Sequence, residues 1–180
     1  MNINTQKQAL RKVMQREKAK LNIIEKAKKS ATVIFNLEKN DAFKNSKTII
    51  AYWSMNDEVN TKEFIEKWSS IKDIYLPIIK GGNLEFRLFT TTENLKRESK
   101  YGIFEPTGKL LIDYSEIELA IIPGVAFDKN NNRLGRGKAF YDKTLNNIDA
   151  IKIGLCFNFQ IVEIVPTEKT DIKMDIVIWG

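Results

Sequence analysis

Thr48-Ile49-Ile50-Ala51-Tyr52-Trp53 is a run of β-branched and aromatic residues. Asn60-Thr61-Lys62-Glu63 follows, ahead of Phe64, Ile65 and Trp68, and then comes Ile74-Tyr75-Leu76-Pro77-Ile78-Ile79. The outer runs have strand composition, and the segment between them has helical spacing behind a capping-box signature with Asn60 in the cap position. Strand, helix and strand in succession make an α/β layer. Further out, strand-like runs recur at Leu84–Phe89, Leu119–Pro123, Ile151–Phe157 and Met174–Trp179, and another helix is predicted from about Lys138 to Asn146. The first forty residues read as helix: Leu10, Val13 and Met14, then Ile23, Ile24, Ala27, Ala31 and Ile34, recur at three- and four-residue spacing. The expected fold is a single α/β domain over residues 1–180. A central, mostly parallel sheet is flanked by helices, with an N-terminal helical segment and sites at the strand ends.

Composition narrows the function. A chain of 180 residues with 43% hydrophobic content can bury one real core, and no repeat, low-complexity tract or linker divides it. Lys+Arg 29 against Asp+Glu 23 gives a formal charge of +6, which suggests an anionic partner. Nucleic acid, an anionic membrane and a polyanionic small molecule all satisfy that charge, but a solvated helix face accounts for the N-terminal lysines more simply. There is no histidine, so Ser-His-Asp and Cys-His chemistry and the common zinc sites are excluded. Cys156 is the sole cysteine, which rules out an intrachain disulfide, and its apolar neighbours point to a buried thiol. No signal core or membrane span is apparent, and a cytoplasmic location is expected.

The stretch richest in chemistry runs from Pro123-Gly124-Val125-Ala126-Phe127-Asp128, through Lys129-Asn130-Asn131-Asn132, to Arg133-Leu134-Gly135-Arg136-Gly137-Lys138-Ala139-Phe140-Tyr141-Asp142. It leaves a strand, turns, and enters a helix through two glycines flanked by three cations. Glycine lets backbone approach a ligand closely, and cations near a helix start suit an anion such as phosphate. A Walker A loop is excluded because Asn132 holds its first glycine position and Ala139 its Ser/Thr. A dinucleotide fingerprint starting at Gly135 fails at Phe140. On residue chemistry alone, this is either a phosphate loop of unstated family or a glycine turn with solvated basic residues.

The Arg133–Asp142 decapeptide resembles the signature of the 5-formyltetrahydrofolate cyclo-ligases, R-L-G-x-G-x-G-[YF]-Y-D. Similar family elements appear in Lys7-Gln8-Ala9-Leu10-Arg11, in Trp53 to Thr61, in Tyr101-Gly102-Ile103-Phe104-Glu105-Pro106, in Phe157-Asn158-Phe159-Gln160 and in Asp171-Ile172-Lys173-Met174-Asp175. The matches run in order from Lys7 to Asp175. Ala139 departs from the last loop glycine, and Thr170 stands where many members have histidine. Alanine at 139 carries strain if the position uses positive φ, and costs less if glycine there only makes room.

The resemblance implies a monomeric enzyme that closes 5-formyltetrahydrofolate to 5,10-methenyltetrahydrofolate with ATP and Mg²⁺, and no nucleic-acid or membrane partner. It implies that Lys7, Arg11 and the loop Arg133, Leu134, Gly135, Arg136, Gly137, Lys138, Ala139, Phe140 and Tyr141 bind ATP. Arg136, Lys138 and Tyr141 would be catalytic. Trp53, Glu58, Arg136, Gly137, Lys138, Ala139 and Phe140 would bind the folate, and Asp142 and Asp171 would hold magnesium. The rival readings are a catalytically weakened relative and a basic nucleic-acid-binding module, whose interleaved aromatics and cations on one surface are not evident here.

Overall fold

The computed structural model describes residues 2–97, 102–146 and 148–180. Tyr101, at the start of one matched element, lies outside them. In chain order the elements are α1 Ile3–Ala19, α2 Ile23–Lys39, α3 Asp41–Asn45, β1 Thr48–Ile50, α4 Lys62–Trp68, β2 Asp73–Lys80, β3 Asn83–Leu88, β4 Leu95–Arg97, β5 Phe104–Pro106, β6 Leu119–Pro123, β7 Ala126–Asp128, β8 Arg133–Leu134, α5 Phe140–Leu145, β9 Ile151–Cys156, β10 Ile161–Val162 and β11 Ile176–Trp179.

Among the described residues, six strands form the main sheet in the order β11-β9-β6-β1-β2-β3. They are the strands that the sequence predicts, with shifted ends: Trp53, Phe89, Phe157 and Met174 fall outside the ladders, while β2 gains Asp73 and Lys80 and β3 gains Asn83. Every pairing is parallel except the β2–β3 hairpin. That hairpin turns on Gly81 and Gly82, both at positive φ, which matches the twist of paired strands.

Why β6 can be apolar without alternation is clear from its surroundings. Leu119 and Ile121 face one side of the sheet, Ala120 and Ile122 the other, and all four are fully buried. Val33 and Leu37 of α2, with Phe43 and Phe64, cover the first face; Leu145 of α5 and Phe127 cover the second. A parallel strand buried on both faces reads as a continuous apolar run. Cys156 is fully buried in the second layer, and burial pushes its thiol pKa up to about 12.

Helix α1 packs elsewhere. Met14 and Leu10 meet Val125, Ala126, Leu134 and Val165, so α1 rests on the small β10-β7-β8 sheet. This sheet escapes sequence reading because two- and three-residue strands carry too little periodicity. It brings the N-terminal cations beside the loop after β8.

Three local expectations are corrected. The N-terminal helical segment divides into α1 and α2, because Asn22 and Glu25 form a reciprocal capping box that starts α2. The buried face of α2 is Ser30, Val33 and Leu37, while Ile23 and Ile24 stay 85% and 68% exposed. Thr61, not Asn60, flanks α4 and makes no side-chain cap bond; Asn60 Oδ1 still accepts from Lys62 N at the helix start, and from Ser54 Oγ. The last predicted helix is shorter than expected, starting at Phe140 because Ala139 is left-handed.

Candidate functional site

A cavity of about 310 Å³ opens beyond the carboxyl ends of β1, β2 and β6. Tyr52, Trp53, Pro77, Ile79, Leu84 and Phe104 make its apolar wall, and Glu58, Arg133, Arg136, Lys138, Tyr141 and Asp142 its polar side. Strand ends leave backbone and loop side chains converging on one point, which is where α/β sheets bind ligands. Trp53 stacks on Phe89 with centroids 5.6 Å apart, so one ring face is supported by the core.

Gly135, Ala139 and Phe140 also line this cavity. Leu134 does not: it is buried against Met14 and Ala126 and anchors the loop. Arg11 donates from Nε to Gly135 O at 2.8 Å, clamping the loop to α1. Gly137 has φ +95°, and a Cβ there would sit 3.2 Å from the Arg11 guanidinium carbon. Glycine therefore serves both the turn and the close approach of that arginine.

Most of the charges are already paired. Arg133, only 3% exposed, donates to Asp142 Oδ1 at 2.8 Å and to Pro123 O at 3.3 Å, leaving its buried Nε without a partner among the described residues. Arg136 donates from Nη2 to Asp57 Oδ1 at 2.6 Å, and from Nε and Nη2 to Glu58 Oε1 at 3.2 and 2.9 Å. Glu58 Oε2 accepts Met55 N, so both its oxygens are engaged. Lys7 is buried, with Nζ 2.5 Å from Asp171 and 3.0 Å from Glu168. Burial would lower the Lys7 pKa, but the bonds to Asp171 and Glu168 hold it above its usual value. Lys138 is exposed, with no hydrogen bond or ion pair among the described residues.

Burial, followed by the charge of Glu58, raises the Tyr141 pKa well out of the neutral range. The phenol therefore acts as a hydrogen-bond donor at neutral pH rather than as a base. Asp142 Oδ1 also accepts from Ile172 N at 3.3 Å, which ties this carboxylate to the residue after Asp171. The structure thus gathers Trp53, Glu58, Arg133, Arg136, Lys138, Tyr141 and Asp142 around one cavity. Lys7, Arg11, Gly137 and Asp171 are not among its lining residues; Lys7 and Asp171 form a separate pair, and Arg11 lines a second cavity.

A model of the 5-formyltetrahydrofolate cyclo-ligase family matches residues 3–180. The chain belongs to the 5-formyltetrahydrofolate cyclo-ligase family. A cyclo-ligase of Haemophilus influenzae is 31% identical over 96% of this chain and 97% of its own length. One from Escherichia coli K12 is 33% identical over 73% of this chain and 76% of its own. The NMR structure of Aquifex aeolicus 5,10-methenyltetrahydrofolate synthetase superposes with a TM-score of 0.85 at 29% identity, covering 96% of this chain and 88% of that one.

Sequence reading missed two partners in this cyclo-ligase, Asp57 and Glu168. Each reaches its cation across the fold, so no spacing signal exists. Ala139, in place of the family's glycine, has φ 53° and ψ 20°, so the strained alternative holds. A left-handed non-glycine residue costs roughly 1–2 kcal/mol, part of which is offset by alanine's less flexible unfolded chain. Ala139→Gly is expected to raise the thermal midpoint by roughly 1–4 °C. A lower midpoint in Ala139→Gly would show that the alanine conformation is unstrained.

Proposed function

We propose that this cyclo-ligase family member converts 5-formyltetrahydrofolate to 5,10-methenyltetrahydrofolate, consuming ATP with Mg²⁺ and releasing ADP and phosphate, through one domain spanning residues 1–180. The observation that carries the reading is the convergence of Trp53, Glu58, Arg136, Lys138 and Tyr141 on one aromatic-walled cavity. The pterin fits the apolar wall against Trp53. Each carboxylate oxygen has two lone pairs, so Glu58 can accept a pterin N–H while keeping Met55 and Arg136.

The chemistry needs ATP because a formamide carbon is a poor electrophile and oxide a poor leaving group. The formyl oxygen attacks the γ-phosphorus, and the bond to ADP breaks. N10 then attacks the formyl carbon and loses its proton to solvent, and phosphate departs with the C–O electron pair. Such a sequence asks the protein for positioning and charge neutralisation more than for a nucleophile. Arg136 and Lys138 supply charge at the transferring group, the Tyr141 hydroxyl donates to a developing oxyanion, and Arg11 with Lys7 meets the nucleotide phosphates.

The carboxylates suit magnesium. Asp142 and Asp171 each place one oxygen on a cation and leave the other without a hydrogen bond among the described residues. No group of three or more His, Cys, Asp or Glu side chains is arranged to hold a metal among those residues. One or two carboxylates plus substrate phosphates and water is the usual magnesium set. Magnesium, when bound, would neutralise phosphate charge beside Asp142 and Asp171.

The left-handed Ala139 favours a second reading, a relative with weakened turnover. Purified protein with ATP, Mg²⁺ and 5-formyltetrahydrofolate decides between them. The expected result is growth of the absorbance of the conjugated product, dependent on all three. Folate binding without product would leave the weakened relative.

A further inference from the structure

Asp57 belongs to none of the roles above, yet it joins three parts of the fold. It lies in the loop between β1 and α4. Its Oδ1 accepts Arg136 Nη2 at 2.6 Å, and its Oδ2 accepts Lys18 Nζ of α1 at 3.1 Å. The Lys18 side chain is only 8% exposed, and Asp57 is its ion-pair partner. Burial would raise the Asp57 pKa, but Arg136 and Lys18 hold it below its usual value.

The effect falls on Arg136. This side chain is 44% exposed and has many rotamers, so water alone would leave it disordered. Two carboxylates grip its Nε and Nη2 edge, while Nη1 has no hydrogen bond among the described residues. Arg136 stands in the wall between the aromatic cavity and a second cavity of about 810 Å³ lined by Asp57, Lys18 and Arg11. A guanidinium held along one edge presents its remaining amino group in a fixed direction.

We propose that Asp57, itself anchored by Lys18, is a positioning residue that aims Arg136 Nη1 at the transferring phosphoryl group. The proposal rests on the cyclo-ligase reading and on the role of Arg136 within it. Glu58 alone holds the same edge but leaves the arginine free to swing about that one carboxylate. The second grip removes this freedom before substrate arrives, so the benefit appears in the rate more than in binding.

Asp57→Asn, Arg136→Lys and the double variant test it by steady-state kinetics, with thermal melts to confirm folding. Asp57→Asn is expected to lower kcat by about 10–100-fold, by analogy with the outer-shell partners that orient metal ligands, with a smaller change in KM for ATP. In the Arg136→Lys background the same change should have almost no further effect, and Asp57→Glu should restore part of the rate. Should Asp57→Asn unfold because Lys18 is left unpaired, Asp57→Asn with Lys18→Gln removes both charges and carries the same expectation. Wild-type kcat in a folded Asp57 variant, or full additivity with Arg136→Lys, overturns the positioning role. Absence of turnover in the wild-type protein would instead overturn the cyclo-ligase reading.

Discussion

Lys138→Ala is expected to reduce kcat by about 10²–10³-fold, equivalent to roughly 3–4 kcal/mol, while raising KM for ATP far less. The other cations near the loop are engaged in the structure: Arg133 by Asp142, Arg136 by Asp57 and Glu58, Arg11 by Gly135, and Lys7 by Asp171. Lys138 is exposed and lines the aromatic cavity. An ammonium without a protein partner pays no exchange of ion pairs when phosphate arrives. In the proposed reaction it can therefore follow charge from the γ-phosphate to the formyl oxygen, and a contact that strengthens along that path lowers the barrier more than it tightens binding. Lys138→Arg should recover only part of the rate, because a planar fork does not reproduce a compact charge. A solvated lysine with no role would cost less than about 0.5 kcal/mol of stability and nothing in rate. Wild-type kcat in Lys138→Ala would end the phosphoryl-transfer assignment.

Arg133→Met is expected to lower stability by about 3–5 kcal/mol, a fall of roughly 6–20 °C in the thermal midpoint for a chain of this size. The Arg133 and Asp142 side chains are 3% and 16% exposed and lie 2.8 Å apart. Removing the arginine strands a largely buried carboxylate, and desolvation makes that costly. Arg133→Met combined with Asp142→Leu should recover much of the midpoint, because replacing a buried pair by apolar groups is often neutral. Turnover should stay lost in the double variant, since the carboxylate proposed to meet magnesium is gone. Differential scanning calorimetry and kinetics on both variants separate these effects. An unchanged midpoint in Arg133→Met would mean that the pair contributes nothing net to the fold. Asp142→Asn must likewise be melted before its metal dependence is read, because it leaves Arg133 without its anionic partner.

The sequence by itself determined the layered α/β class, the six main strands and the glycine-rich loop that lines the cavity. These are local signals: an apolar run such as Leu119–Ile122 states its own burial on both faces, and Arg133–Asp142 carries its family pattern unbroken except at Ala139. Sequence also marked Ala139 as the critical departure, but only its backbone angle decided that it is strained. The tertiary structure alone decided who pairs with whom. Asp57 meets Lys18 and Arg136, and Lys7 meets Glu168 and Asp171, across separations along the chain that no periodicity records. It also moved Leu134 from the expected ligand contacts into the core, and placed Arg133 under Asp142 rather than in solvent. Charge partners are chosen by which buried cations the packing of α1 on the small sheet brings within about 3 Å of a carboxylate, where desolvation makes an unpaired charge costly. That choice depends on the closed fold, so no stretch of sequence states it.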